Sequence, residues 1–300
     1  MFKNSGGNKL KKKTICIFVC MLMIATLAIP ISAMNKDDVL ENKPISIGAD
    51  VPTWEVGDSW TYDTHYYQAI RENNTIVSVW DGSLELTLEV IDDTGDVYTL
   101  QGNGKPKGGF DLSGIIDMKT TRFSNLDTTV KLYKSNLAII ENEYVFKAIL
   151  LLTLGPIPLP IPIQMKAYML SKFEPVWELL PFPLYDGKTG YTPQSTLNQT
   201  SDMSIFWGII PIQSETSDEG WVGNATYECV NESITVPAGN YDVYNITSSV
   251  NWSEYGEDWY HSYYCEEVGN IVKCAYNIDQ DDGETVVLWE MELLSTTYTP

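Results

Sequence analysis

Histidine is the scarcest chemistry in this chain: His65 and His261 are the only imidazoles in 300 residues. With no C-x-x-C pair either, the ordinary zinc sites, built from clustered Cys and His, are excluded. G-x-S-x-G, H-E-x-x-H and the Walker and kinase sets are missing, and no cysteine stands beside a plausible histidine partner. General-base chemistry would therefore fall on carboxylates. Positive charge is short as well, 19 Lys and Arg against 40 Asp and Glu. A phosphate-binding surface needs a basic footprint, so nucleic acid and anionic membrane surfaces are excluded as partners. No motif implies a cofactor, and none is expected.

The N-terminus redistributes that charge. Lys3, Lys9, Lys11, Lys12 and Lys13 precede an apolar run from Ile15 to Ile29, then Pro30 and Ile31-Ser32-Ala33. This is the order of a secretory signal, and the run is short for a membrane span of about 20 residues. Residues 1–33 read as a cleaved signal peptide in preference to a retained anchor, and Cys16 and Cys20 lack the small residues that precede a lipidated cysteine. The rest keeps 14 basic side chains against 40 acidic ones, a formal balance of −26. The expected location is extracellular, secreted or held at the cell surface, with membrane contact only through the signal or an N-terminal anchor. Residues 34–52 read as a polar tether.

Three cysteines remain, Cys229, Cys265 and Cys274. An oxidising exterior favours a disulfide between two of them, with no spacing that selects the pair. Sequons stand at Asn73, Asn198, Asn224, Asn231, Asn245 and Asn251. In a glycosylating host the five between 198 and 251 would mark a solvent-facing, sugar-bearing side.

What the chain has in quantity is period-two patterning. Leu84, Leu86 and Leu88 alternate with Glu85, Thr87 and Glu89, the signature of a half-buried strand. Strands are expected over 75–80, 84–91, 97–101, 115–123 and 128–133, with Asp93-Thr94-Gly95-Asp96 as a hairpin turn, and 137–146 reads as a strand or short helix. Gly102–Gly109, GNGKPKGG, lacks the P-loop order and reads as a mobile hairpin connection. Ile234–Ile246 reads as two strands about Pro237-Ala238-Gly239-Asn240, and Val268-Gly269 as a corner before another strand. Further strands follow to Leu294. Asp279–Glu284, DQDDGE, holds four carboxylates in six residues. Its spacing fits no EF-hand, and it reads as a turn instead of a calcium site. His261, within Trp259-Tyr260-His261-Ser262-Tyr263-Tyr264, reads as part of an aromatic sheet face.

Ala148–Ile163, AILLLTLGPIPLPIPI, is uncharged, and Pro156, Pro158, Pro160 and Pro162 forbid a helix. It reads as an extended or edge segment covering a curved sheet. Alternatively Ile157, Leu159, Ile161 and Ile163 form an apolar lip for a lipid, peptide or partner. Echoes between Trp54–Tyr62 and Pro175–Tyr191, and between Gly95–Tyr98 and Gly239–Tyr244, suggest two related β units, 53–147 and 181–300, joined by 148–180.

Phe182-Pro183-Leu184 with Gly187-Lys188-Thr189, Val236-Pro237-Ala238-Gly239 with Tyr241, and Tyr263-Tyr264 with Val268–Lys273 resemble a pattern of secreted proteins labelled TapB-like. Residues 182–273 carry it best, and the earlier half carries it only through Trp54–Tyr62. Gly190 stands at the usual tryptophan place, and Cys265 and Glu266 replace a small residue and a proline. The resemblance implies a LolA-like half-barrel, a curved antiparallel sheet able to hold an apolar chain, with no enzymatic activity. The whole reads as a mainly β protein that binds a hydrophobic or lipid-like ligand without catalysis. The alternatives are an envelope module that binds another protein and a carbohydrate-acting enzyme with two facing carboxylates.

Overall fold

The computed structural model describes residues 48–72, 75–111, 117–153, 161–178, 180–207, 210–222, 225–252, 256–279 and 285–300. Fourteen strands fill them, and no helix occurs among the described residues. The first six are β1 (Ser59–Glu72), β2 (Thr75–Asp92), β3 (Val97–Asp111), β4 (Asp117–Tyr133), β5 (Ile139–Thr153) and β6 (Ile161–Trp177). Then come β7 (Thr189–Thr192), β8 (Ser195–Trp207), β9 (Ile210–Val222) and β10 (Ala225–Val236). The last four are β11 (Gly239–Trp252), β12 (Gly256–Cys265), β13 (Asn270–Asp279) and β14 (Thr285–Thr296).

All belong to one antiparallel sheet, in the order β7-β10-β11-β12-β13-β14-β1-β2-β3-β4-β5-β6-β8-β9. A six-stranded meander, β1–β6, and a five-stranded one, β10–β14 with the short β7 added at its edge, therefore stand side by side, joined where β1 meets β14 from Trp60↔Thr296 to Ile70↔Thr285. The ladder is not closed, yet its two ends are tied. Two residues separate β7 from β8, and the rungs Thr189↔Glu228 and Thr192↔Ala225 continue in the same register as Ser195↔Val222 and Trp207↔Ile210. β7–β8 and β9–β10 thus act as one long hairpin whose lower half lies on β11 and whose upper half lies on β6. That linkage curls the sheet, as the right-handed twist of so many strands also requires.

The two meanders repeat each other in detail. Gly57 N–H donates to Val90 O at 2.9 Å and Val90 N–H to Asp58 O at 2.9 Å; Gly187 N–H donates to Cys229 O and Cys229 N–H to Lys188 O, both at 2.8 Å. Both glycines need positive φ, 101° and 77°. Tyr98 pairs with Leu132 and Leu132 with Ile139; Tyr244 pairs with Tyr264 and Tyr264 with Ile271. A bulge precedes Leu132 and another precedes Tyr264, and each corner then passes through a left-handed residue, Leu137 at 56° and Gly269 at 64°.

Several expectations change. Gly102–Gly109 is no mobile connection: it lies inside β3 and pairs with β2 throughout, Gly102 with Leu88 and Gly109 with Asp81. A Cβ on Gly102 would stand 2.2 Å from Thr128 Cγ2, and one on Gly104 2.6 Å from Leu84 Cδ1, so close packing requires these glycines. Pro106 falls where β4 pairing is interrupted, between Gly104↔Leu126 and Asp111↔Lys119, so its missing N–H costs that ladder nothing. The expected strands 75–80 and 84–91 are one strand, and 137–146 is strand, not helix. The stretch 148–180 is largely sheet: it supplies the end of β5 and all of β6, an interior strand between β5 and β8. Pro162 is tolerated there because β6–β8 pairing begins one residue later, at Ile163↔Trp207. The Pro237–Ala238 turn, with Gly239 at φ 149°, is as read.

Candidate binding face

One face of the sheet is buried along its lower end. Alternate residues from every meander strand meet there: Trp60 and Tyr62, Leu86 to Val90, Tyr98 and Leu100, Val130 and Leu132, Phe173 and Trp177, Ile271, Met291 and Leu293. Trp54 ahead of β1 and the first residues of β1 bind the two meanders together at this base. Trp54 Nε1 donates to Gly269 O and Trp60 Nε1 to Val268 O, each at 2.9 Å, and Tyr62 OH donates to Ile271 O at 3.0 Å. Two buried indoles thus satisfy the corner carbonyls of Val268 and Gly269 that the turn leaves unpaired, and the Tyr62 hydroxyl adds a bond to the strand that follows. Tyr298 closes over Gly269, where a Cβ would lie 2.5 Å from its ring, and Phe182 meets Tyr264 edge-on at 5.1 Å. The residues that carry the sequence resemblance are therefore scaffold.

Above the packed base the same face turns polar. Thr128 Oγ1 donates to Asn142 Oδ1 at 3.1 Å, Asn142 Nδ2 to Tyr144 OH at 2.6 Å, and Gln199 Nε2 to Ser171 Oγ at 3.2 Å. Asn142 is fully buried, and Thr128, Ser171 and Gln199 are nearly so. A small apolar cluster, Leu126, Tyr144 and Met169, sits among them, with Leu84 touching both it and the main core. In the second meander Ser248, Tyr260 and Ser262 are buried at this level. Burial pushes the Tyr62, Tyr144 and Tyr260 phenols far above their usual range, so all three stay protonated donors.

Higher still, register assembles apolar rows. Leu150 pairs with Ile163, Ile163 with Trp207 and Trp207 with Ile210; Ala148 pairs with Met165, Met165 with Ile205 and Ile205 with Ile212. These occupy the alternate positions that continue from the buried Tyr144 and Met169. None is charged. Of the apolar residues singled out from sequence, Ile161 and Ile163 belong to β6, opposite Leu152 and Leu150, while Ile157 and Leu159 lie outside the described residues.

The expected disulfide is not present: Cys229, Cys265 and Cys274 are free and buried. Cys274 faces Ser262 across β12–β13, its sulfur 3.8 Å from Ser262 Oγ, and Cys229 faces Ile246 on a different strand pair. Burial pushes the Cys229 thiol up to about 11 and Cys274 to about 12, so both are unreactive neutral side chains. Asn198 and Asn231 are exposed on β8 and β10. Asn245 is engaged, its Nδ2 donating to Glu232 Oε1 at 2.6 Å. Asn73 and Asn224 lie outside the described residues, as does the Asn251 side chain. The signal stretch, most of the tether and most of DQDDGE fall there too. His261 is half-buried, 2.9 Å from Thr247 Oγ1 and stacked on Tyr263 at 6.2 Å. No group of three or more His, Cys, Asp or Glu is placed to hold a metal among the described residues.

Sequence reasoning missed two buried groups. Glu178, just after β6, accepts a hydrogen bond from Asn136 Nδ2 at 3.0 Å through one oxygen and leaves the other without a partner. Burial pushes its carboxyl up to about 7. Trp289 on β14 buries an indole N–H that has no partner. A charged residue in a loop and a tryptophan in a strand carry no local signal of either state, because both follow from distant packing. No family model, curated protein or solved structure matches the chain.

Proposed function

We propose that the protein binds a hydrophobic or lipid-like ligand against the upper part of its curved sheet, without catalysis, outside the cell or at its surface. The observation that carries this reading is the run of uncharged rows, Leu150–Ile163–Trp207–Ile210 and Ala148–Met165–Ile205–Ile212, in register above a base that is already packed. Strands of up to 18 residues reach roughly 60 Å, whereas the main core occupies one end of them. A chain that needed only a stable core would gain little from carrying four strands of apolar residues past it, and large apolar surfaces mark binding sites. The resemblance of 182–273 to secreted half-barrel proteins points the same way.

The base itself is no part of the site, because its interior is filled with aromatic and aliphatic side chains. Native mass spectrometry of the purified chain, with solvent extraction of whatever it carries, tests the reading. A stoichiometric apolar molecule, or rebinding of a fluorescent fatty-acid probe after extraction, is the expected result. A protein that emerges empty and takes up no probe refutes it.

A further inference from the structure

The indole of Trp289 stands apart from the other tryptophans of the core. Trp54 and Trp60 each deliver Nε1–H to a backbone carbonyl at 2.9 Å. Trp289 is 3% exposed and its Nε1 has no hydrogen-bond partner. An indole nitrogen can only donate, so the missing partner must be an acceptor. Buried donors are almost always satisfied, and each exception needs a physical explanation such as strain, a water or a bound group.

Its surroundings suit a ligand. Trp289 lies in the row Ser248–Tyr260–Tyr276–Trp289–Tyr66–Gly82–Gly108, one step above the packed row of Cys274, Met291 and Thr64. Ser248 and Tyr260 are buried in that row. On the other side, Tyr66 and Gly82 are only half-buried, and the two glycine positions carry no side chain. The row therefore runs from buried Ser248 and Tyr260 on one side to half-buried Tyr66 and Gly82 on the other, with the unsatisfied donor between. Among the described residues, two other buried side-chain polar atoms lack partners and sit elsewhere: one of Glu178 in the loop after β6, and one of Asn270 at the corner where its Oδ1 accepts Ile271 N–H at 2.8 Å. Trp289 lies within strand β14, whereas Asn270 is the first residue of β13 and Glu178 lies outside any strand.

We propose that Trp289 Nε1–H is the polar anchor of the ligand site, receiving the oxygen of an amphiphile whose carboxylate or ester group sits at the Trp289–Gly82 level and whose chain runs along the apolar rows. This rests on the apolar-ligand reading above and adds the class of ligand, an acyl compound and not a plain hydrocarbon. The phenylalanine variant keeps an aromatic ring and removes the donor. Palmitate should bind Trp289→Phe about tenfold more weakly than the unaltered chain, about 1.4 kcal/mol, while hexadecane binds both alike. In ¹⁵N-indole spectra of the unaltered chain, the Trp289 signal should shift with palmitate and stay in place with hexadecane, a measurement that does not depend on the variant folding. Equal palmitate affinities, or an indole signal that palmitate leaves unmoved because water alone occupies it, overturn the anchor while leaving the apolar site standing. Failure to bind either probe refutes the site itself.

Discussion

In the first meander the turn ahead of the leading strand is pinned by Trp54, Trp60 and Tyr62, whose polar ends reach the corner of the other meander. In the second, the same backbone turn carries Leu184, Gly190 and Thr192 at the matching positions, and none of these can donate as an indole does. Its hold is different. Lys188 Nζ donates to the carbonyls of Pro181 and Pro183, Asp186 Oδ1 accepts Asn231 N–H at 3.0 Å, and the Tyr227 ring occupies the space beside Gly190. Burial lowers the Lys188 ammonium from its usual range, the cost of that clasp. The backbone plan thus tolerates two unrelated sets of fasteners. The hydrogen-bonded turns and bulges define the repeat, and the side chains tie each copy to its neighbours.

The comparison can be broken most forcefully at Trp60. Replacing this fully buried ring with alanine should cost about 3–5 kcal/mol in urea unfolding and orphan the Val268 carbonyl. Lys188→Met, which cuts the clasp of the second copy, should cost only about 1–2 kcal/mol, because the charged bonds lost are offset by a desolvation penalty removed. Equal losses would mean that the two fastenings are equivalent after all. Next come the corners. Gly269→Ala combines left-handed backbone with a Cβ 2.5 Å from Tyr298, and a loss of about 1–3 kcal/mol is expected. A thermal midpoint unchanged by that substitution would show that the Tyr298 contact is loose.

Glu178 provides a pH test of the loop that follows β6. Its folded carboxyl is held near 7, above the 4.5 of the free side chain. The folded state therefore binds the proton more tightly, and the associated stability is full below about 4.5 and lost as pH rises through about 7. Thermal midpoints of the unaltered chain should fall relative to Glu178→Gln across that window; a constant difference from pH 4 to 8 would contradict the assignment. The smallest effect is expected where the copies carry the same cross-strand ion pair with charges exchanged. Lys273–Glu292, at 2.7 Å and mostly shielded, should be worth up to about 1 kcal/mol in a double-mutant cycle, and Lys172–Glu141, at 3.9 Å with the lysine largely exposed, near zero.

Much of this plan was legible in the sequence. Alternation at Leu84–Glu89 and turn chemistry at Asp93–Asp96 and Pro237–Asn240 depend on near neighbours, and each element formed where those residues direct it. Gly102–Gly109 misled because glycine serves both mobile loops and tight packing, and only the distant Thr128 and Leu84 decide between them. Pro162 misled for a related reason, since a proline is harmless in an interior strand wherever one ladder has not yet begun. The cysteines suggested a bridge by compartment and number, whereas register sets Cys274 opposite Ser262. The candidate site was legible only as composition. Ile161 and Ile163 were marked by their lack of charge, but Trp207 joins them through a pairing across a long chain separation and brings Ile210 with it across its own hairpin, while Trp289 is marked by its environment alone.

The rung that joins β1 to β14 brings Tyr62 opposite Leu293, nearly the whole described chain apart. During synthesis the first strand must therefore wait for the last, holding one bare edge while every intervening strand is made. Pairings of such separation make for slow folding, and an edge left open that long invites other chains to pair with it. Removing Thr285–Pro300 would make that wait permanent.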